Sequence, residues 1–413
     1  MDQYIIIISV IGIAALGMAW MPAISKRTGI SYAIIYMLAG VLIYLVFPHL
    51  LPNADPRKHQ TYTSHLTELV VIISLMGTGI KIDRSFAYKT WKTPIRLVTW
   101  GMLGCIGIAA LLGYGFFGMD VASALLLGAA LAPTDPVLAS DVQVGPPNEK
   151  LRFETKFALT AEAGMNDAFA FPFVMLAITM SQMANKGQGS IWEWAGYALI
   201  LKVVIGLVIG VIIGRLLGYL IFSVGDRLEV LETRDGFVAL SLTLMVYGIT
   251  ELAHGYGFMA VFVAGLSLRH YERGHKLHTK LHDFTDQTER IMVAIVLILF
   301  GGSLTTGILN NLTWPMVTFS ILFLFIVRPL TSYLSLFGIQ LHSREKWVIS
   351  FFGIRGMGSI YYLSYAFKEA HFPYAEQIWT VVTFTILLSI FVHGLTATTV
   401  MKRMEARFAN EIG

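Results

Sequence analysis

Charge is scarce in this sequence. Asp, Glu, Lys and Arg make up 14% of its 413 residues, where a soluble domain of this length carries about 25%. No polar stretch exceeds a long loop, so a water-soluble domain is excluded. Cysteine is nearly absent. Cys105 stands alone inside the apolar run "LVTWGMLGCIGIAALLGY", which rules out an intrachain disulfide and a cysteine-based metal cluster. It reads as a buried structural thiol. The net charge of +4 is not gathered into a nucleic-acid patch. The histidines of "RHYERGHKLHTKLHDF" lack the carboxylate or cysteine spacing of a metal loop, so this stretch reads as a solvated basic loop. Neither a cofactor nor a nucleic-acid partner is expected.

What the chain does have is apolar length. It is 55% hydrophobic with a mean hydropathy of +0.66, and a membrane helix needs about 20 apolar residues. The pattern predicts an all-α polytopic membrane protein of about thirteen transmembrane helices. They run over 3–20, 30–47, 66–82, 95–117, 121–140, 151–180, 191–222, 234–254, 256–269, 289–308, 314–340, 346–368 and 376–402. The first reads as a span rather than a cleaved signal, since Lys26 and Arg27 follow it and no basic residue precedes it. Alternate loops are basic: Lys81, Arg84, Lys89, Lys92, Lys150, Arg227, Arg234, Arg273, Lys276, Lys280, Arg344, Lys346 and the tail residues Lys402, Arg403 and Arg407 all fall on one side. The other side holds little beyond Arg57, Lys58, Lys186 and Lys368. The rule that basic loops stay inside places the N-terminus outside and the C-terminus in the cytoplasm.

Two spans are interrupted. "LAPTDPVLASD" sets Asp135 between Pro133 and Pro136, and "GIRGMGS" sets Arg355 among Gly353, Gly356 and Gly358. Proline removes a backbone donor and glycine loosens a helix. Such breaks are tolerated at membrane depth only where protein or a water-filled cavity satisfies the freed groups. The two spans face opposite ways in the bilayer. That arrangement predicts inverted repeats whose broken helices cross near the midplane and build an ion or substrate site. There Asp135 would offset the positive ends of half-helices, and freed carbonyls such as that of Thr134 could coordinate a cation. The plainer alternative is that the prolines simply end the helix and leave Asp135 facing the cytoplasm.

The span "FALTAEAGMNDAFAFPFVMLAI" carries Glu162, Asn166 and Asp167 among apolar residues. An acid at membrane depth costs about 3 kcal/mol or more on insertion scales and is functional by default. Glu162 and Asn166 share one helical face, and Asp167 lies about 100° further round. Glu162 needs a countercharge, and Arg355 is expected to supply it. That leaves Asp167 free toward a cavity, able to exchange a proton for a cation. Among weaker signals, Arg328 pairs within the bundle or snorkels, Lys202 snorkels near a helix end, and His393 reads as a hydrogen-bonded structural residue. Glu289 and Arg290 form an entrance ion pair or cap their helix.

"TDPV", "AEAGMNDA" and "GIRGMGS" together resemble the signature of the NhaP-type sodium/proton antiporters, in cation–proton antiporter family 1, which includes the animal sodium/proton exchangers. "YGFMAVFVAGL" and "TERIMVAIVLILFGGSL" are similar to further family stretches. The resemblance implies a homodimer in the cell (inner) membrane that exchanges Na⁺, and possibly Li⁺, for protons by alternating access. It implies a core domain (95–180 and 314–402), a dimerisation scaffold (1–94 and 191–308) and a short tail (403–413). It also implies that Asp167 carries cation and proton in turn. Glu162 and the Thr134 carbonyl would help ligate Na⁺, Asp135 would sit at the crossing, and Asn166 and Arg355 would hold Glu162. One departure stands out: Ala163 occupies the place of a family serine whose hydroxyl is a cation ligand. A K⁺/H⁺ antiporter on the same fold is the nearest alternative. An intramembrane aspartyl protease built on Asp135 and Asp167 is more distant, because its "GxGD" pattern is missing, and nothing resembles a channel's selectivity filter.

Overall fold

The computed structural model describes residues 3–48, 51–138, 142–144, 154–224, 236–272 and 277–412. The regular structure of the described residues is all helical, with no strand among them. In chain order we label the helices α1 (Gln3–Met18, continued after a 55° bend by Met21–Thr28), α2 (Tyr32–Val46), α3 (Gln60–Lys81), α4 (Tyr88–Phe117) and α5 (Val121–Leu131). Then come α6 (Glu154–Lys186), α7 (Ile191–Phe222), α8 (Phe237–Leu252), α9 (Gly257–Glu272) and α10 (Leu277–Ser303). The last are α11 (Trp314–Ser335), α12 in two halves (Ser343–Phe351 and Met357–Glu369) and α13 (Ala375–Ile412). Six of them, α3, α4, α6, α7, α11 and α13, are long and apolar enough to cross a bilayer unaided. The chain is a polytopic membrane protein, as the composition requires.

The fifth helix stops well short of the expected residue 140. Asp120 starts it by accepting a hydrogen bond from the Ser123 amide at 3.0 Å. It ends at Leu131, and Ala132 to Leu138 run as non-helical chain. Pro133 and Pro136 account for this, since each lacks an amide donor and disfavours helix at the residue before it. Asp141 and residues Gly145 to Pro147 lie outside the described residues, as do Lys150, Arg227, Arg234, Arg273 and Lys276. In α12 the break falls at Phe352–Gly356, inside the glycine-rich stretch.

Packing follows small residues. Gly206, Gly210, Gly214 and Gly218 are buried on α7, whose apolar remainder is mostly exposed. A side-chain carbon added at Gly206, Gly210 or Gly214 would lie 2.5–2.8 Å from the backbone of Tyr256, just before α9, or of Ala260 or Ala264 within it. This four-residue spacing of small side chains lets two membrane helices meet backbone to backbone, where van der Waals contact replaces the missing hydrophobic drive.

Candidate functional site

The two breaks meet. The Asp135 amide donates to the Ile354 carbonyl at 2.8 Å, so the unwound part of α5 pairs with the unwound part of α12. The polar groups freed by unwinding are then satisfied in a reciprocal way. Asp135 accepts at Oδ1 from the Val137 amide (2.7 Å) and the Leu138 amide (3.3 Å), and at Oδ2 from the Met357 amide. Met357 opens the second half of α12, so the carboxylate faces the positive end of that half-helix. Arg355 does the converse. Its Nη1 donates to the Ala132 and Pro133 carbonyls, both at 2.7 Å, placing a cation at the negative end of α5. The reading that leaves Asp135 in the cytoplasm is excluded, because Asp135 is buried.

Arg355 is further fixed from α13. Its amide donates to Ser389 Oγ at 2.9 Å, and the guanidinium lies 5.2 Å from the Phe323 ring centroid. His393 supports the same joint. Its Nε2 is 3.1 Å from the Phe351 carbonyl at the end of the first half of α12, and its Nδ1 is 3.0 Å from Ser389 Oγ. The buried His393 is thus a hydrogen-bonded structural residue.

The expected Glu162–Arg355 pair does not form. Glu162 binds Arg328 of α11 instead, with Nη1 to Oε1 at 2.6 Å and Nη2 to Oε2 at 2.9 Å. Both residues are buried. Arg355 instead turns its Nη1 to the carbonyls released by the proline break, and its Nε and Nη2 have no hydrogen-bond partner among the described residues. Gly353 makes room for the actual partner, since any side chain there would collide with the Arg328 stem. Arg328 was visible in sequence as an intramembrane charge, but spacing along a chain cannot choose between two arginines on different helices.

Asn166 and Asp167 sit on α6 beside the crossing. Asn166 Nδ2 donates to Thr134 Oγ1 at 2.7 Å, and its Oδ1 has no hydrogen-bond partner among the described residues. Asp167 has its main-chain carbonyl 2.9 Å and its Oδ1 3.1 Å from the Tyr362 hydroxyl, which can donate to either. Its Oδ2 has no partner among the described residues. Gly358 leaves the space in front of this carboxylate clear, since a side-chain carbon there would stand 3.0 Å from Oδ1. Tyr362 went unnoticed in the sequence because a tyrosine in an apolar helix carries no signal of its own. Ala163 is buried and offers no side-chain oxygen. No group of three or more His, Cys, Asp or Glu able to hold a metal ion occurs among the described residues. A monovalent cation here would rely on Asp167 together with neutral oxygens.

Other polar residues are accounted for elsewhere. Glu289 accepts from Ser74 Oγ at 2.8 Å, while Arg290 pairs with Asp286 at 2.8 Å, so Glu289 and Arg290 are not partners. Lys202 lies over the rings of Tyr197 and Tyr256, with its Nζ 5.6 and 5.4 Å from their centroids. Cys105 is buried, with its sulfur 3.0 Å from Thr331 Oγ1.

Comparison with known proteins agrees with this architecture. The chain is 23% identical to "Na(+)/H(+) antiporter 2" of Zygosaccharomyces rouxii, over 88% of this chain and 49% of that protein. It is 23% identical to "Na(+)/H(+) antiporter" of Saccharomyces cerevisiae, over 86% and 39%. It is 24% identical to "K(+)/H(+) antiporter NhaP2" of Shewanella oneidensis, over 91% and 63%. The chain therefore spans between 39% and 63% of the length of these relatives. Its fold is that of the sodium proton antiporter MjNhaP1 from Methanocaldococcus jannaschii. One structure of that protein, at pH 8, superposes with a TM-score of 0.75 at 18% identity, covering 96% of this chain and 98% of the other. The profile of the sodium/hydrogen exchanger transmembrane family matches residues 12–403, and the chain belongs to that family.

Proposed function

We propose that this protein is a secondary active transporter that exchanges a monovalent cation for a proton across the cell membrane by alternating access. One observation carries the proposal. Asp167 is buried at a crossing of two broken helices, and one of its carboxylate oxygens is left without a partner among the described residues. A carboxylate so placed holds either a proton or a cation. Thr134 and the unpartnered Asn166 Oδ1 are the neutral oxygens suited to complete the cation's shell. Asp135 and Arg355 hold the crossing together. Glu162 has both oxygens committed to Arg328 and serves as a structural countercharge rather than as a ligand.

Residues 95–180 and 314–402 form the moving core, and residues 1–94 and 191–308 form a scaffold that pairs with a second copy. The broad apolar exposure of α7, whose span is only 17% buried, supports its facing lipid or a partner. The protein works in the cell membrane with its C-terminus in the cytoplasm, and it needs no cofactor. Sodium is the expected cation, as in the names of two of the relatives. A K⁺/H⁺ exchange on the same machinery is the second reading, favoured by the name of the third. The test is cation-dependent collapse of a preset pH gradient in sealed vesicles, with Na⁺, Li⁺ and K⁺ added separately. Asp167→Asn is expected to abolish the response while leaving the protein folded. Retained cation-dependent proton flux in that variant would remove Asp167 from the mechanism.

A further inference from the structure

A large cavity lies away from the ion site. It encloses ≈ 890 Å³ and is lined from four helices, by Ile95 and Val98 of α4, Met165 and Phe169 of α6, Leu207 of α7 and Phe262 of α9. Met165 and Phe169 stand two residues either side of Asp167, which turns them about 200° round α6 from it. The cavity is therefore not part of the route to that carboxylate. Its walls are greasy, but one end is not: Arg84, Arg215 and Arg269 all line it there. Those arginines sit at the end of the bundle where α3, α7 and α9 finish.

Arg269 is the telling residue. It is only 2% exposed, and its Nε and Nη1 have no hydrogen-bond partner among the described residues. Its Nη2 reaches Asp83 at 3.4 Å, a long contact that leaves most of the guanidinium fork unused. Arg84 is held by Glu154 and lies 4.2 Å from the Phe157 ring centroid. Ser85, Thr99 and Ser267 add hydroxyl groups to the lining. Burying a guanidinium with idle donors is costly unless something else takes them. Phe86, two residues from Arg84, and Leu207 of α7 both line the cavity and are exposed, so the cavity is open to what surrounds a membrane protein.

We infer that this cavity binds an anionic phospholipid, with its headgroup phosphate on Arg269 and its acyl chain lying between α4, α6, α7 and α9. Basic pockets between membrane helices take such headgroups, and the planar guanidinium fork suits a phosphate. The apolar volume is far more than a free anion would use, and the cationic headgroup of a zwitterionic lipid would be repelled by Arg84, Arg215 and Arg269 where an anionic headgroup would not.

The test uses the purified, delipidated full-length chain and reads its melting temperature as phosphatidylglycerol, phosphatidylcholine or inorganic phosphate is added. Phosphatidylglycerol should raise Tm saturably, and the other two should not. Loss of a charge-assisted hydrogen bond in Arg269→Gln should shift the half-saturating lipid concentration about tenfold upward. Leu207→Trp, which fills the cavity and leaves every arginine in place, should weaken the response as well. Equal stabilisation by phosphatidylcholine would overturn the role of charge. Equal stabilisation by phosphate alone would overturn the lipid. An undiminished phosphatidylglycerol response in either folded variant would overturn the site.

Discussion

Glu162 and Arg328 join α6 to α11 through two parallel hydrogen bonds, 2.6 and 2.9 Å long, with both side chains almost wholly buried. Such a geometry satisfies both carboxylate oxygens at once and, among the described residues, leaves only the Nε of Arg328 without a partner. Removing one member of a buried pair strands the other, at a cost of about 3–5 kcal/mol. Arg328→Ala is therefore expected to lower the melting temperature strongly, and Glu162→Gln added to it should recover part of the loss. Arg355→Ala combined with Glu162→Gln should show no such recovery, because those two residues are not bonded. Strict additivity for the Arg328 combination, measured by a double-mutant cycle, would contradict the pairing.

The contrast between Arg328 and Arg355 marks where the sequence stops being legible. The helical membrane fold, the two breaks and the family were all readable, because each rests on a local pattern: apolar runs of spanning length, prolines around Asp135 and glycines around Arg355. Charge alone does not choose between Arg328 and Arg355 as the partner of Glu162. Geometry does. Both carboxylate oxygens meet the Arg328 fork, whereas Arg355 turns its Nη1 to the Ala132 and Pro133 carbonyls freed by the helix end at Leu131. Helix ends also shifted for a local reason, as at α5, where proline acts on residues before it. The Tyr362 contact to Asp167 and the cavity at Arg269 arise from tertiary packing between distant segments, for which one sequence gives no register.

Two glycines of α12 test the close packing at the crossing. A side-chain carbon at Gly356 would collide with the Asp135 carboxylate and lie 2.6 Å from Leu138 Cδ1. Overpacking of this kind costs about 1–3 kcal/mol, and here it also displaces the carboxylate from the Met357 amide. At Gly358 the clash is milder, 3.0 Å from Asp167 Oδ1, and falls on the proposed carrier. Gly356→Ala should lose stability and exchange together, whereas Gly358→Ala should lose exchange with little change in Tm. Gly115→Ala, with nothing within 4 Å of the added carbon, serves as the control. Wild-type exchange in Gly358→Ala would show that the space before Asp167 is not needed.

His282 gives the fold a sensitivity to acid outside the apolar spans. It lies in the polar first turns of α10, ahead of the apolar stretch that starts at Ile291. Burial, reinforced by the charge of Lys81, holds its imidazole below the usual histidine range, and the contact to Asp283 at 3.3 Å opposes this only in part. The folded state thus takes up the proton less readily than the unfolded chain, whose histidine titrates near about 6.5. The stability contributed is fully present above that value and is lost as pH falls through the folded-state value. His282→Gln cannot titrate and should flatten the decline in Tm between about pH 7 and pH 5. An unchanged decline would assign the acid sensitivity to other groups.

The ratio of ions exchanged follows from which carboxylates at the site are free. Asp135 is tied by backbone amides and Glu162 by Arg328. Asn166, the residue before Asp167, cannot titrate. That leaves Asp167 as the single group able to alternate between a proton and a monovalent cation, so the exchange should be one for one and electroneutral. Two consequences are measurable. Cation and proton should compete, so the apparent affinity for Na⁺ should fall about tenfold for each pH unit below the pKa of Asp167, one unit being about 1.4 kcal/mol. Membrane potential should not drive the cycle, although one net charge moved through a potential of about 100 mV would gain about 2.3 kcal/mol. Liposomes clamped with a potassium diffusion potential, at equal pH and Na⁺ on both sides and under conditions where K⁺ is not transported, should therefore build no proton gradient. Asn166→Asp adds a second carboxylate and should make the same liposomes respond to voltage, provided the variant folds. A voltage-driven gradient in the wild-type protein would mean that Asp135 or Glu162 gives up its partners during the cycle, and that the assignment of Asp167 as sole carrier is wrong.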